Sequence, residues 1–484
     1  MNGLKKTIDK GIAYAKKNGL RGLMHRVMRK AALARPVNYE KWFAANSATL
    51  EELAWQKNHP LHIPEGWCLL MRDGIQALPD MEYRVAEAIV KHPEHDVWYT
   101  DHDYWLADGK HIGEPACKPD FDKYYLDCMN YIGGAVYVRQ ELLDKVNDIR
   151  RLKEDPVRWH EFLVQLTGKA GSVGHVPRIL FREPWKYHCE YREYYETAYE
   201  PQTDEGEKEP LLSVIIPNKD HISDLRNCIE SVIALGGYGA LELLIVENNS
   251  CEEQTFAYYR ELENTHPCVR ILHWKKGFNY SAINNFAAQE AGGRYLLFLN
   301  NDTMMQTEGA LSALMKLGRQ GDVGAVGARL LYADKTIQHA GVVLGFGGIA
   351  GHAFEGKALS EYEKVPFARA VRQMSAVTAA CMLVRRDVFF AVGGFDEALA
   401  VAYNDIDLCM KIRAYGKKVL YCPQAQLYHL ESGTRGLEMT EEKAKRLRKE
   451  TEIFCIRWQQ AIAAGDPFYN PNLTLDQADY TLRR

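Results

Sequence analysis

The sequence predicts an α/β protein built on a mostly parallel central sheet with helices on both faces. Two observations carry that prediction. Short apolar runs that read as buried strands alternate with stretches of helical spacing from residue 212 to residue 299. Three of those runs then stop at clusters of Asn, Asp, Glu and Lys, the places where such sheets bind ligands.

The elements follow in order. Leu212–Pro217 (LSVIIP) is an apolar strand, and Leu225, Ile229, Val232 and Ile233 mark the face of the helix after it. Leu241–Val246 (LELLIV) is the second strand, with a helix through Phe256–Leu262. Val269–Trp274 (VRILHW) is the third, followed by a helix over Asn284–Ala291. Tyr295–Leu299 (YLLFL) is the fourth. Strand one runs into Pro217-Asn218-Lys219-Asp220, strand two into Glu247-Asn248-Asn249-Ser250, and strand four into Asn300-Asn301-Asp302. One such cluster is ordinary turn chemistry. Three on successive strand ends of one sheet mark a ligand-binding edge.

The 484 residues suggest two or three domains. Eleven cysteines without a CxxC pair exclude a zinc-ribbon or disulfide-framework class, and point to a reducing, cytoplasmic setting. No apolar run is long enough to cross a membrane; the nearest, Ala340–Phe354, is short and contains His352. No secretory signal is expected. Ten Lys or Arg against one acid in residues 1–35 sit inside a chain of net charge −4. With Leu4, Ile8, Ile12, Leu20, Leu23, Val27 and Met28 at helical spacing, residues 1–36 predict a basic amphipathic helix. It suits either the anionic inner face of a cell membrane, as a peripheral contact, or packing on its own domain. No nucleic-acid motif accompanies it, and no nucleic-acid partner is expected. The polar, proline-bounded run Glu200–Pro210 predicts a linker, placed at 199–210. Residues 37–198 and 211–458 are the expected domains, with 459–484 a C-terminal extension.

The motifs SVIIPNKD, LIVENNS, FNYSAINNFA and YLLFLNNDT, and then GGFDE, YNDIDLCMKI and HLESGTRG, resemble those of inverting family-2 glycosyltransferases of the GT-A fold. The likeness is to the large two-domain bacterial enzymes of rhamnose-containing and other cell-surface polysaccharides. It implies a hexosyltransferase, such as a rhamnosyltransferase. A sugar would pass from a UDP- or dTDP-sugar to a hydroxyl of a glycan or lipid-linked glycan, with inversion and a divalent metal, Mg²⁺ or Mn²⁺. A metal answers the charge that develops on the leaving diphosphate. Asn300, Asn301 and Asp302 stand at the family's Asp-x-Asp motif, which makes Asp302 its single anionic ligand, with His429 the second expected metal ligand. Asp405 matches the base that takes the acceptor proton, with Asp407 supporting it; both also suit the start of a helix. Pro217, Asn218, Lys219, Glu247, Asn249, Lys275, Asn284 and Arg435 are expected around the donor, with Asn284 where the family often carries Arg. Gly394, Phe395, Asp396 and Glu397 are expected around the acceptor.

Two other classes were open. A sugar nucleotidyltransferase predicts a glycine-rich basic loop after strand one, and PNKDHISD is neither. A non-catalytic glycan-binding or assembly subunit has no need of Asp302, Asp405 and His429 together.

Residues 66–182 read as the later part of the same fold. Gly66–Asp73 resembles the strand that ends in the metal motif. Asn130–Leu143 parallels Ser375–Phe389, and Gly174–Glu183 parallels Leu420–Leu430. Nothing like SVIIP or VENNS precedes Gly66, so this half is expected to be a truncated GT-A-like domain without catalysis. Asp101-His102-Asp103 is expected to form a surface turn.

Overall fold

The computed structural model describes residues 37–146, 155–188, 209–362, 368–431 and 440–484. The basic segment 1–36, most of the 199–210 linker and Arg435 lie outside the described residues.

The N-terminal half begins with two helices, Tyr39–Asn46 and Leu50–Asn58, the latter started by a Thr49/Glu52 capping box. Its sheet comprises β1 (Trp67–Met71), β2 (Gln76–Ala77), β3 (Val97–Trp105), β4 (Ile112–Ala116), β5 (Ala135–Arg139) and β6 (Val173–Pro184), in the order β1-β5-β3-β6-β2 with β4 on β3. Residues 212–429 add β7 (Leu212–Asn218), β8 (Leu241–Glu247), β9 (Val269–His273), β10 (Tyr295–Leu299), β11 (Thr303–Met305), β12 (Val323–Leu331), β13 (Ile337–His339), β14 (Val342–Leu344), β15 (Ala350–His352), β16 (Arg372–Gln373), β17 (Cys381–Arg385) and β18 (Lys418–His429). The large sheet runs β11-β18-β12-β17-β10-β7-β8-β9, with β13 on β12 and β16 on β18, and β14 and β15 form a separate ribbon. From β9 to β10 every pair is parallel. The crossover helices Ile222–Leu235, Glu253–Thr265 and Tyr280–Glu290 join those strands. Strands covered on both faces must be apolar throughout. Val214, Ile215, Leu243, Leu244, Leu296 and Leu297 are accordingly fully buried.

The small sheet repeats the second half of the large one, strand for strand. The pairs β1/β5, β5/β3, β3/β6, β6/β2 and β3/β4 are antiparallel, antiparallel, parallel, antiparallel and antiparallel. The pairs β10/β17, β17/β12, β12/β18, β18/β11 and β12/β13 run in that same sequence of directions. Among the described residues, nothing in the small sheet corresponds to β7, β8 or β9.

Two expectations are corrected. Asp101, His102 and Asp103 lie in the middle of β3 and are buried. Each is held by a polar partner: Asp101 by His175, Asp103 by Arg182, and His102 by Tyr104. A strand can bury such groups only with partners from other segments, which the local sequence does not reveal. The boundary at 458 falls inside the helix Glu441–Ala464, which bends at Trp458. The segment after it then docks on the N-terminal half: Asn470 Nδ2 donates to Asp101 (2.7 Å), and Trp42 Nε1 donates to the Arg483 carbonyl (2.7 Å). The halves are also packed as well as linked. One apolar cluster runs from Val97, Leu126 and Leu163 into Leu212, Leu311 and Leu420.

Candidate active site at the strand ends

The ends of β7 and β8 are tied together by side chains. Asn218 is buried; its Nδ2 donates to Tyr259 Oη (2.8 Å), and its Oδ1 accepts from Asn301 Nδ2 (2.7 Å). The buried Glu247 carboxylate accepts from the Ser250 backbone N–H, from Ser250 Oγ (2.6 Å) and from Tyr259 Oη (2.8 Å). Asp220, in a left-handed turn at φ 53°, accepts from the backbone N–H groups of Cys251 and Glu252 at the start of the next helix. These acids brace the turns at the strand ends. The exposed groups at that edge are Lys219 and Asn249, with Pro217 half-buried between the strands.

Asp302 and His429 meet where β11 pairs with the end of β18, since Thr303 stands opposite His429. His429 Nε2 is 3.2 Å from Asp302 Oδ1 and 3.1 Å from Asn300 Nδ2. His429 Nδ1 lies 2.6 Å from Gln338 Oε1, an acceptor, so the ring proton sits on Nδ1. The Nε2 lone pair accepts from Asn300 Nδ2 and also faces the Asp302 carboxylate. Two lone-pair atoms about 3 Å apart match neighbouring ligands on an octahedral ion with bonds of about 2.1 Å. The donor set therefore fits Mg²⁺ or Mn²⁺ completed by phosphate and water oxygens.

Asp405 stands half-buried in the first turn of the helix Asn404–Ala414. Its Oδ2 accepts from the Ala379 N–H (3.2 Å), and its Oδ1 from Ile406 N–H (2.9 Å). The next residue, Ala380, accepts the Asn300 backbone N–H at 3.0 Å. Two consecutive residues at the head of β17 thus join the metal motif to Asp405. Asp407 faces the other way and is fully buried. It bonds Arg457 Nη1 (2.7 Å) and Trp458 Nε1 (2.9 Å), and pairs with Lys411 (3.3 Å). It anchors the C-terminal helix.

Some expected contacts are corrected by burial. Asn284 is fully buried, its Nδ2 donating to the Tyr280 carbonyl one turn back, so it offers no donor to a diphosphate. Phe395 is a core residue packed edge-on against Phe298 and Phe389. Asp396 is held by Arg457, and Glu397 accepts from Asn285 Nδ2 (3.2 Å). Gly394 sits at φ 64°, where a Cβ would come 2.8 Å from Asn285 Oδ1. The GGFDE loop is built as a turn around Asn285. Lys275 is exposed beside the strand ends, next to Lys276, which lies over Trp274.

The sequence reading missed Gln338 and His339. Both lie on β13 and are buried, and His339 Nδ1 is 2.8 Å from His352 Nδ1. Their signal was two histidines flanking the glycine-rich run Ala340–Gly351. A cavity of about 2230 Å³ lies apart from this cluster, walled largely by Asp466–Arg484.

Known proteins align with this half and beyond. Residues 213–390 match the family described as Glycosyl transferase family 2. An uncharacterized protein of Sinorhizobium fredii, y4gI, is 33% identical over 480 residues, covering 88% of this chain and 50% of that protein. The O-antigen biosynthesis protein RfbC of Myxococcus xanthus is 33% identical over 433 residues, covering 83% of this chain and 33% of that protein. The chain thus spans half or less of these relatives. An N-acetylglucosaminyl-diphospho-decaprenol L-rhamnosyltransferase of Mycobacterium tuberculosis is 32% identical over 83 residues, 17% of this chain and 27% of that protein. A solved structure of GalNAc-T7 with UDP, GalNAc and Mn²⁺ overlaps at TM-score 0.40 and 16% identity, covering 51% of this chain and 48% of that one. The matched segment runs from β7 into the helix after β17 and includes the strand ends that carry Asn218, Glu247 and Asp302, so this α/β part of the chain is similar to glycosyl transferase family 2.

Proposed function

We propose that residues 211–458 transfer a sugar from a nucleotide-diphosphate sugar to a hydroxyl of a cell-surface glycan or its lipid-linked precursor, with inversion. The observation that carries the reading is the Ala379–Ala380 link, which couples Asn300 of the metal motif to Asp405. A single displacement needs a base at the acceptor and charge stabilisation at the leaving group within one sugar's reach.

Each residue has a task. Asp405 receives the acceptor proton; its two hydrogen bonds aim the carboxylate and leave further lone pairs for the hydroxyl. Asp302 and His429 would hold Mg²⁺ or Mn²⁺, which when bound supplies positive charge to the diphosphate. Lys219 and Asn249 form the edge open to the nucleoside, and Asn218 and Glu247 brace it from beneath. RfbC and the mycobacterial rhamnosyltransferase, by their names, support cell-surface polysaccharide as the setting and rhamnose among the candidate sugars.

The N-terminal half is a scaffold in this reading. Arg72 N–H bonds the Gly134 carbonyl as Asn300 N–H bonds Ala380, and Arg182 stands opposite Gln76 as His429 stands opposite Thr303. Two arginines therefore replace metal-motif positions. One lies over Tyr187 and the other is paired with Asp103, an environment hostile to a divalent cation.

Calorimetry with UDP, dTDP and GDP, each with and without Mn²⁺, tests the proposal. Metal-dependent binding of one nucleotide at one site per chain is expected. Asp405→Asn should keep that binding and lose transfer by at least roughly 10²-fold. Substantial turnover by Asp405→Asn would remove it as the base.

A further inference from the structure

A second histidine system adjoins this site through β13. β13 places Gln338 and His339 side by side: Gln338 takes the Nδ1 proton of His429, and His339 reaches His352 at the end of β15. The hydrogen bonds fix the protons on both rings. The Thr378 N–H points at His339 Nε2 (3.4 Å), so that nitrogen is an acceptor. Neutral His339 then carries its proton on Nδ1 and donates it to His352 Nδ1, 2.8 Å away. Neutral His352 must in turn carry its proton on Nε2. That N–H has no hydrogen-bond partner among the described residues, and the His352 ring is half-buried.

The charges acting on the ring are those of Asp405, Glu355, His429 and Glu431, which include both chemical ends of the site. Thr378, which orients His339, is followed by Ala379, which holds Asp405. Burial keeps both His339 and His352 below the ordinary histidine value, which favours the neutral rings this wiring needs.

We infer that His352 is a further ligand-binding residue of the site, whose Nε2–H donates to an oxygen of the nucleotide diphosphate, with His339 as its positioning residue. Donor and acceptor matching selects the diphosphate. The acceptor hydroxyl directs its proton to Asp405 and a lone pair to the anomeric carbon. Diphosphate oxygens only accept, and a fixed neutral N–H complements them without the desolvation cost of a buried cation. This rests on the nucleotide-sugar reading above.

Two measurements test it. In ¹⁵N-histidine-labelled protein without nucleotide, long-range ¹H–¹⁵N correlations should show His352 protonated on Nε2 and His339 on Nδ1; a His352 proton on Nδ1 overturns the wiring. In calorimetry with UDP, dTDP and GDP in Mn²⁺, His352→Phe should weaken the nucleotide that the wild type binds by roughly tenfold or more. His352→Gln, which keeps an N–H donor, should stay within about threefold. Equal affinity for wild type and His352→Phe removes His352 from the diphosphate while leaving the proposed function standing. A wild-type chain that binds none of the three removes both.

Discussion

Asp405 and Asp407 are two residues apart and do opposite work. Asp405 keeps a partly open carboxylate, whereas Asp407 spends its own on Arg457, Trp458 and Lys411. Asp407→Ala should lower stability by about 2–3 kcal/mol, the scale of hydrogen bonds to a charged group. Asp405→Asn should stay within about 0.5 kcal/mol of wild type, as substitutions free of such buried partners do. Urea unfolding midpoints check both, and equal losses would contradict the assignment. Histidines carry a second prediction. Burial first holds His102, His160, His339 and His352 below the ordinary value. In the unfolded chain they titrate near about 6.5. Below that pH the unfolded state takes up protons that the folded rings refuse, so stability falls as pH drops. His175 runs the other way. Burial pulls it down, but Asp101 and Asp120 outweigh burial and raise it. Its contribution is complete below about 6.5 and fades as pH rises through its raised value. His111, exposed and raised by its bond to Asp108, acts in the same sense as His175. With four buried rings against these two, Tm should fall between pH 7 and pH 5.5; a flat or rising Tm would show that the four rings are charged in the fold.

At the scale of elements, β13 has three residues and makes few backbone bonds, yet it orients two rings. Gln338→Ala removes the acceptor that fixes the His429 tautomer. Outer partners of metal-binding histidines typically contribute 10–100-fold in affinity, and a loss of that order in Mn²⁺-dependent nucleotide binding is expected. Unchanged Mn²⁺ dependence in a titration would place the metal elsewhere. The strands from β7 to β10 were legible in the sequence because burial on both faces makes them uniformly apolar. β13 was not, because its Gln and His look polar until their partners on β15 and β18 are known.

Across the whole molecule, the C-terminal segment closes over the N-terminal half. Asn470 Nδ2 donates to Asp101 and to the Lys118 carbonyl (2.8 Å), and Asn472 Nδ2 reaches the Pro177 carbonyl (3.0 Å). Asn470→Ala leaves the buried Asp101 short of a donor and should cost about 1–3 kcal/mol, read by thermal unfolding. A second route joins the halves: the Gln373 backbone N–H donates to Asp122 (2.7 Å), and Tyr124 Oη donates to Asp322 (2.7 Å). The halves should therefore unfold together in one calorimetric transition, and Asn470→Ala should lower the whole transition rather than split it.

The sequence by itself determined the alternation of strands and helices, the polar clusters at the strand ends and the repeat of β10-to-β18 motifs in the N-terminal half. All three are local patterns of burial and turn chemistry, written in neighbouring residues. The tertiary structure decided which polar residues remain open. Asn284 and Phe395 were read as contacts by motif and are buried, while Gln338, His339 and His352 gained a place only when β13, β15 and β18 came together. The reason is physical: a polar side chain's role is set by whether another segment satisfies its hydrogen bonds, and the satisfying partner lies 13 positions away for His352 and 91 for His429.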